Sequence, residues 1–544
     1  MRRHIRGMGA GWRRGLGIAA VGLALAANSS AADDVVALHL RERLQQVSAG
    51  SERARAIAAF YEQRQYAPVW QDPQRLAALA TAIGSTRSDG LDPQTYHYAQ
   101  LTAAETESAR AHETDDERAR IDLLATDSYL LATEHLHWGE LDPHKIDPDY
   151  NFAPAPADRE AWRRSVLAEV DRADIDDVFA QARPQHQAYA RLRGALQKLR
   201  DIDAAGGWPT IADGPTLKRG DVDPRVAPLR SRLQFGGYEV AGAPDDNRFD
   251  ASLEAGLRRF QEEQYLDVDG KVGAQTRAVL NLPVRARIDQ VRVNLERARW
   301  LLRLAQGDFV LVDVAGFKVT YFEANQPVWS ARAQIGMPYR STPSFRSKID
   351  SVTFNPTWTV PPTILGNDLL PKIRRNPATL AANRIRVFDG AGHELDPAAV
   401  DWNNPRGITL RQDAGADNSL GRVAIRFSNP YGVYMHDTPH KDLFAEERRA
   451  FSSGCIRIER PLELVEHLFA GTPGWNREKI DALIAAGATK TVMLERPLPI
   501  LILYWSVETH DERIAFKPDI YGKDRAILNA LDRYTAEPLL EHTP

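Results

Sequence analysis

The apolar residues of this chain change their spacing near residue 306, and that change most constrains the fold. Before it, they recur at helical spacing, as in Leu76, Leu79 and Ile83. After it come short strand-like runs, such as residues 309–314, joined by turns that contain glycine or asparagine. The sequence therefore predicts a multi-domain α+β fold, with helical domains first and a mostly-β domain after them.

The length of the chain and the positions of its breaks predict several domains. A chain of 544 residues exceeds what one hydrophobic core supports. We expect a signal segment at 1–32, a helical domain at 33–214, a small three-helix domain at 215–282, a helical connector at 283–306, a mostly-β domain at 307–510 with an insertion at 366–420, and a tail at 511–544 that packs back on the helical domain.

Residues 1–32 have the composition of a secretory signal. Five arginines precede an apolar run at 15–27, and small residues at 29–32 offer a cleavage site. The apolar run is shorter than the ~20 residues that a membrane-spanning helix needs, so a retained anchor is the less favoured alternative. Since no cysteine follows the run, a lipid anchor is not expected. The sequence predicts a protein that works outside the cytoplasm.

Charge and cysteine content limit the partners. A net charge of −4 argues against nucleic acid, because binding to phosphates requires a basic excess. Cys455 is the single cysteine, which excludes an intramolecular disulfide. Its ordinary role would be that of a small buried side chain. The serines, the glycine and the arginine in Ser452-Ser453-Gly454-Cys455-Ile456-Arg457 are poor core material, however, and they favour a reactive thiol.

A nucleophilic thiol needs a base, and His436 at the end of a strand-like run is the candidate. Gly454 permits a tight turn, and the N–H groups of Gly454 and Cys455 are candidate donors to an oxyanion. Asp437 or a backbone carbonyl orients the imidazole, and the sequence leaves both open. Arg457 either binds a substrate carboxylate or braces the loop.

These residues carry a resemblance to a known family. His436 followed by Ser453-Gly454-Cys455-Ile456-Arg457 resembles the motif of YkuD-type L,D-transpeptidases of the cell wall. The usual motif has histidine where this chain has Ser453, which removes a second histidine near the oxyanion site. Ser-Ser-Gly-Cys with His-Asp-Thr-Pro upstream resembles the large, multi-domain, YcbB-like branch of Gram-negative bacteria.

The resemblance extends to the other predicted domains. Tyr66-Ala67-Pro68-Val69-Trp70 and the run from Asp89 to Pro93 resemble the helical scaffold domain of the same branch. Phe260-Gln261 and Asp269-Gly270-Lys271-Val272-Gly273 resemble a peptidoglycan-binding module, although the residues alone indicate only a small helical bundle with a turn. A calcium loop is rejected because the glutamate at its twelfth position is missing. For residues 366–420, composition favours a disordered segment or an insertion, whereas the resemblance implies a capping subdomain.

The family resemblance implies acyl transfer in the periplasm. Cys455 forms a thioester with a peptidoglycan tetrapeptide stem, terminal D-alanine leaves, and the amine of a second stem completes a 3→3 cross-link. Substrate contacts are expected from Arg457, Ser453, Tyr434 and Trp358, although core packing is the alternative role for Tyr434. The chemistry requires no metal or organic cofactor. Carbapenem β-lactams are expected to acylate the thiol, and cell-wall synthases are candidate partners.

Two alternatives remain open. An L,D-carboxypeptidase would use the same motif with water as the acceptor. A non-catalytic scaffold would hold other proteins at peptidoglycan through residues 215–282 and would leave Cys455 unreactive. A papain-like protease is rejected because the sequence offers no asparagine or glutamine arrangement around the thiol.

Overall fold

The computed structural model describes residues 31–46, 51–106, 113–152, 159–510, 513–537 and 539. The predicted signal segment lies outside the described residues, except for residues 31 and 32, which begin the first helix. Among the described residues, no helix has the length and apolar character needed to cross a membrane. The predicted α+β architecture is confirmed: helices occupy the N-terminal half and strands dominate after residue 308.

The N-terminal part is a helical domain built around one long central helix. That helix begins where the Thr114 hydroxyl accepts a hydrogen bond from Glu117 N and the Glu117 carboxylate accepts one from Thr114 N. The helices here are α1 (Ala31–Gln46), α2 (Glu52–Gln63), α3 (Pro73–Ser85), α4 (Tyr98–Ala104), α5 (Asp115–Trp138), α6 (Pro143–Ile146), α7 (Arg159–Ala168), α8 (Ile175–Ala182) and α9 (Gln187–Ala204).

A three-helix unit follows, with its own core. Its helices are α10 (Val226–Phe235), α11 (Ala251–Glu263) and α12 (Ala274–Leu280). The buried Gln261 side chain accepts a hydrogen bond from Gly270 N at 2.8 Å and donates one to Asp269 Oδ1 at 2.9 Å. Gly270 has a φ of +71°, which glycine adopts readily. The Phe-Gln and Asp-Gly motifs thus form one clamped turn.

The connector, α13 (Val284–Leu301), joins the three parts of the molecule. It packs along α9, and Val291, Leu295 and Ala298 share a core with α9 and with the hairpin of residues 507–516. The tail helix α19 (Lys523–Leu531) lies against Val293 of the connector and against Leu141 and Ile146 of the helical domain. The connector and the tail helix therefore link the helical domain to the mostly-β domain.

The C-terminal half is mostly β-structure, and the short strand β1 (Tyr150–Asn151) of the preceding helical domain joins it. Its own strands are β2 (Phe309–Asp313), β3 (Lys318–Glu323), β4 (Gln326–Gly336), β5 (Ser344–Phe354), β6 (Trp358–Thr359), β7 (Ile385–Phe388), β8 (Glu394–Leu395), β9 (Thr409–Gln412), β10 (Val423–Phe427), β11 (Met435–His436), β12 (Ala450–Ser452), β13 (Ile456–Ile458), β14 (Lys490–Leu503), β15 (Val507–His510) and β16 (Arg513–Phe516).

Eight of these strands form a ring in the order β5-β10-β11-β13-β4-β3-β2-β14, and β14 pairs again with β5. Strand β14 is continuous, but its register against β5 shifts between Met493 and Leu498, and this irregularity accommodates Pro497. The helices α17 (Pro461–Leu468) and α18 (Arg477–Ala485) cover the ring.

The insertion is a folded subdomain and not the disordered segment that its composition also allowed. Strands β6, β9, β7 and β8 form a separate sheet beside the helices α14 (Pro362–Ile364), α15 (Leu370–Arg375) and α16 (Ala378–Ala382). Ile373, Leu380, Val387 and Leu410 form its core. These few apolar residues are spread over a polar sequence, which explains why composition alone suggested disorder.

Candidate active site

Strand pairing brings Cys455 and His436 together. Strand β11 lies parallel to β13, with Met435 opposite Ile456 and His436 opposite Arg457. The Ile456 amide donates to the Tyr434 carbonyl at 3.1 Å, which extends the pairing to Cys455. Since side chains alternate between the two faces of a sheet, Tyr434, His436, Cys455 and Arg457 share one face, while Met435 and Ile456 enter the core.

Two further polar residues extend this face. The Arg426 guanidinium lies 4.8 Å from the centre of the Tyr434 ring, on the neighbouring strand β10. On the other side, Arg457 Nη1 donates to the buried Gln334 Oε1 at 3.0 Å. The site therefore lies between two guanidinium groups, which favours negative charge on the thiol and disfavours positive charge on the imidazole.

The His436 imidazole is buried and held by one hydrogen bond. Its Nδ1–H donates to the Asp437 backbone carbonyl at 2.5 Å. This bond leaves Nε2 as the basic nitrogen. Burial, with Arg457 next in importance, lowers the pKa of His436 to about 3. The resting imidazole is therefore neutral, as a general base must be.

The Asp437 carboxylate points away from the imidazole. It accepts a hydrogen bond from Arg422 N at 2.9 Å and pairs with Lys441 Nζ. Gly421, with φ at +59°, leaves space for this carboxylate, because a Cβ there would lie 2.5 Å from Asp437 Cγ. Of the two orienting groups that the sequence left open, the structure favours the backbone carbonyl of Asp437 over its side chain.

Cys455 is half-buried, and its Sγ lies 3.8 Å from the Gly432 carbonyl. Burial raises the pKa of the Cys455 thiol, while hydrogen bonds from the Tyr434 amide and hydroxyl and the charges of Arg457 and Arg426 act in the opposite direction. The Tyr434 side chain thus lines the site and contacts the thiol. The resting pair is a thiol beside a neutral imidazole.

The loop before Cys455 is fixed by hydroxyl groups that sequence reasoning missed. Ser452 Oγ donates to the Cys455 carbonyl at 2.5 Å and accepts from Gly454 N at 3.2 Å. Thr342 Oγ1 donates to the Gly454 carbonyl at 2.9 Å. Gly454 has a φ of +112°, which residues other than glycine rarely adopt. Among the described residues, no acceptor bonds the Cys455 amide, so it is a better oxyanion donor than the Gly454 amide.

The remaining predicted substrate residues lie in two different places. Ser453 is exposed, and its Oγ accepts a hydrogen bond from Arg340 Nη1 at 2.8 Å. Trp358 lies in β6, opposite Gln412, and packs against the core of the insertion. Its predicted contact with substrate stays a prediction. The alternation of Arg422, Ala424 and Arg426 was the one sequence signal that pointed to Arg426, whereas nothing marked Arg340, Thr342 or Gln334.

Comparison with family models divides the chain into three parts. Residues 55–196 match the scaffold domain, residues 222–280 match a peptidoglycan binding domain, and residues 307–475 match the L,D-transpeptidase catalytic domain named YkuD. A Haemophilus influenzae protein named "Putative L,D-transpeptidase" is 30% identical over 241 residues, which are 44% of this chain and 48% of that protein. The chain thus spans about half the length of this relative.

Solved structures of L,D-transpeptidases also align with the chain. The one from Xylanimonas cellulosilytica is 14% identical, with 54% of this chain and 99% of that chain covered and a TM-score of 0.17. Mycobacterium tuberculosis L,D-transpeptidase 1 is 16% identical, with 36% and 62% covered and a TM-score of 0.16. Scores this low carry no argument about the present chain. From the family models, the chain contains a scaffold domain, a peptidoglycan-binding domain and a YkuD-type L,D-transpeptidase catalytic domain, in which Cys455 and His436 lie.

Proposed function

We propose that the chain is a periplasmic L,D-transpeptidase that forms 3→3 cross-links in peptidoglycan through a thioester on Cys455. The observation that carries this proposal is the shared sheet face on which the thiol and the neutral His436 imidazole meet, inside the matched catalytic domain. The predicted signal segment and the peptidoglycan-binding domain support a location at the cell wall of a Gram-negative bacterium.

The acylation step begins with proton transfer from the Cys455 thiol to His436 Nε2. The thiolate attacks the carbonyl carbon between the third stem residue and terminal D-alanine. The oxyanion accepts a hydrogen bond from the Cys455 amide, and Arg457 and Arg426 favour the negative charge that passes from sulfur to oxygen. The carbon–nitrogen bond then breaks, and the imidazolium returns its proton to the departing amine of D-alanine.

The deacylation step reverses these roles with a second stem as the acceptor. Its side-chain amine attacks the thioester carbonyl and gives a proton to His436, and the imidazolium then protonates the departing thiolate. Arg457 serves mainly to hold the loop through Gln334 and to set the local charge. Tyr434 and Ser453 border the thiol, and the folded insertion limits the access of water to the thioester.

The same thiol should react with carbapenem β-lactams. The thiolate attacks the carbonyl of their strained ring amide, the ring carbon–nitrogen bond breaks, and the nitrogen takes a proton while it stays attached to the acyl group. Acylation would increase the protein mass by the mass of the drug and would disappear in Cys455→Ala. Cell-wall synthases remain candidate partners for the delivery of stems.

The test uses the purified protein and a muropeptide that carries a tetrapeptide stem, with Cys455→Ala as the control. Mass spectrometry of products and intact protein should show released D-alanine, a thioester adduct and a cross-linked dimer, all absent with Cys455→Ala. D-alanine release with tripeptide and no dimer would instead identify an L,D-carboxypeptidase. A folded protein that gives no adduct and no product would contradict the proposal and favour a scaffold.

A further inference from the structure

A polar cleft opens beside the loop that carries Cys455. Its volume is about 660 Å³, and its walls come from the loop after β4, from the insertion and from Ser453. Tyr339, on one wall, is 76% exposed. The cleft therefore borders the proposed nucleophile through Ser453, two residues before Cys455, and one of its walls belongs to the insertion.

An arginine and an aspartate lie side by side in this cleft. Arg340 Nη1 lies 2.6 Å from Asp368 Oδ2, and Nη2 lies 3.1 Å from Asp368 Oδ1. Nη1 also donates to Ser453 Oγ at 2.8 Å. In the described part of the chain no acceptor bonds Arg340 Nε, so this N–H is available to a ligand. The Asp368 side chain is 39% exposed, so its carboxylate also reaches the cleft.

We propose that this cleft binds the zwitterionic end of the third residue of a peptidoglycan stem, where one carbon carries both an ammonium and a carboxylate. Arg340 binds the carboxylate and Asp368 binds the ammonium. The inference rests on the proposed function for the identity of the stem, but the charge arrangement stands on its own. Arg340 and Asp368 neutralise each other in the free protein, and a ligand with one charge alone would compensate only one of them when it displaces their mutual contact.

The surroundings of the pair fit such a ligand. Tyr339 offers an aromatic surface to the carbon chain that links the zwitterion to the stem. Ser453 connects Arg340 to the loop whose Cys455 amide faces the proposed oxyanion. Because Asp368 belongs to the insertion and Arg340 to the loop after β4, the bound zwitterion would bridge the two and hold the insertion over the thiol.

Two stems carry this group, the acylating donor and the acceptor. A donor bound by its own zwitterionic side chain would depend on the cleft for release of D-alanine. An acceptor would depend on it only for delivery of the amine, which must leave Asp368 and lose one proton of its ammonium form before it attacks the thioester. The chemistry of recognition is shared, and kinetics separate the two sources.

A binding experiment tests the cleft without catalysis. The full chain with Cys455→Ala is titrated calorimetrically with a tetrapeptide stem whose third residue is diaminopimelate, and with the same stem containing lysine, which lacks the second carboxylate. We expect about tenfold tighter binding of the diaminopimelate stem, the size of one charge-assisted hydrogen bond. Adding Arg340→Ala should abolish this preference and leave lysine-stem affinity within about twofold.

Asp368→Asn provides the complementary variant, because it should weaken both stems alike through loss of the ammonium contact. Arg386→Ala is the matched control: it removes another partly exposed arginine that pairs with an aspartate, Asp413, within the insertion. Equal affinity for the two stems, a preference that survives Arg340→Ala, or equal weakening of both stems by Arg340→Ala would overturn the inference.

The kinetic arm uses Arg340→Ala with Cys455 intact. A fall of about tenfold in D-alanine release assigns the cleft to the donor, whereas unchanged release with a fall in dimer assigns it to the acceptor. If both rates are unchanged, the cleft has no part in the reaction and the inference fails. If the unmodified protein releases no D-alanine, the proposed function fails while the binding result still decides the cleft.

Discussion

Two buried polar clusters in this molecule differ in how completely their hydrogen bonds are formed. In the helical domain, Asp122 is fully buried and its carboxylate accepts bonds from Tyr61 Oη at 2.6 Å, Trp70 N at 2.7 Å and Val69 N at 3.0 Å. In the catalytic domain, His436 makes one bond, through Nδ1, and the Cys455 amide makes none within the described residues.

The difference separates a structural cluster from a chemical one. The donors to Asp122 all come from residues 61–71, so the carboxylate fastens that segment to helix α5 and has no capacity left for a ligand. At the proposed catalytic site, the groups with unused hydrogen-bonding capacity are those that the proposed reaction needs as base, nucleophile and oxyanion donor. Burial alone therefore does not mark function, whereas burial with unfilled hydrogen-bonding capacity does.

The largest effect should come from His436→Asn. The asparagine amide can still donate to the Asp437 carbonyl, but it has no basic nitrogen. We expect D-alanine release to fall about 10³-fold, while thermal stability changes little. Steady-state release and a thermal melt measure the two quantities. If the variant retained more than about a tenth of the rate of D-alanine release, His436 would not be the base, and the cluster around it would not differ in function from the cluster around Asp122.

The converse change is Asp122→Asn, which should affect stability and spare chemistry. An amide NH₂ would face the N–H groups of Val69 and Trp70, leaving buried donors without acceptors. We expect a loss of about 3 kcal/mol in the local free energy of unfolding. Amide hydrogen exchange in α5 measures it, with Asp115→Asn as the control, because Asp115 is only half-buried. If correctly folded Asp122→Asn protein released D-alanine ten times more slowly, a purely structural role of Asp122 would be contradicted.

The sequence predicted which residues meet at the site better than it predicted the hydrogen bonds between them. Alternation along β11 and β13 requires that Tyr434 and His436 share a face, as do Cys455 and Arg457, once the two strands are paired. The choice of the backbone carbonyl over the Asp437 carboxylate depends on Gly421 and Lys441, which draw that carboxylate away. Contacts of this kind depend on the folded arrangement and follow no sequence motif.

The same limit applies to the fold. Helix α5 was predictable from its long apolar pattern and its capping residues. The fold of the insertion was implied only by the family resemblance, because a small core such as Ile373, Val387 and Leu410 leaves little periodic signal among polar residues. Arg340 and Asp368 are 28 positions apart and meet only because that insertion folds back on the loop after β4.

A smaller effect concerns the pH dependence of thiol reactivity. Since burial raises the pKa of Cys455, the thiolate is scarce at neutral pH, and alkylation by iodoacetamide should rise about tenfold per pH unit between pH 7 and 9. Arg426→Ala removes a charge that lowers this pKa, so the profile should shift to higher pH by less than about one unit.

Mass spectrometry of the alkylated protein measures this profile. Arg332→Ala is the control, because Arg332 pairs with Glu459 in the same domain and its charge is not among the groups that shift the thiol pKa. A rate that is already constant below pH 7 would reveal a preformed thiolate–imidazolium pair. The catalytic cluster would then be as fully satisfied as the one around Asp122, and the comparison would break.

The smallest effect should come from Lys441→Met. Lys441 pairs with the Asp437 carboxylate, but its side chain is 42% exposed, so the pair contributes less than about 1 kcal/mol. Burial raises the pKa of Asp437, but its bonds to Lys441 and to Arg422 N outweigh burial and hold that pKa below its usual range. The stability of the pair is therefore present at neutral pH and is lost as the pH falls through the lowered pKa. Thermal melts should show a difference in stability between the variant and the parent at pH 7 that disappears at acid pH.

Turnover of Lys441→Met should change by less than about threefold, because the Asp437 carbonyl keeps its place beside His436. A loss of tenfold or more in turnover would mean that the contact between Lys441 and the Asp437 carboxylate sets the position of the imidazole. The Asp437 side chain would then affect the reaction as well as the stability of the fold.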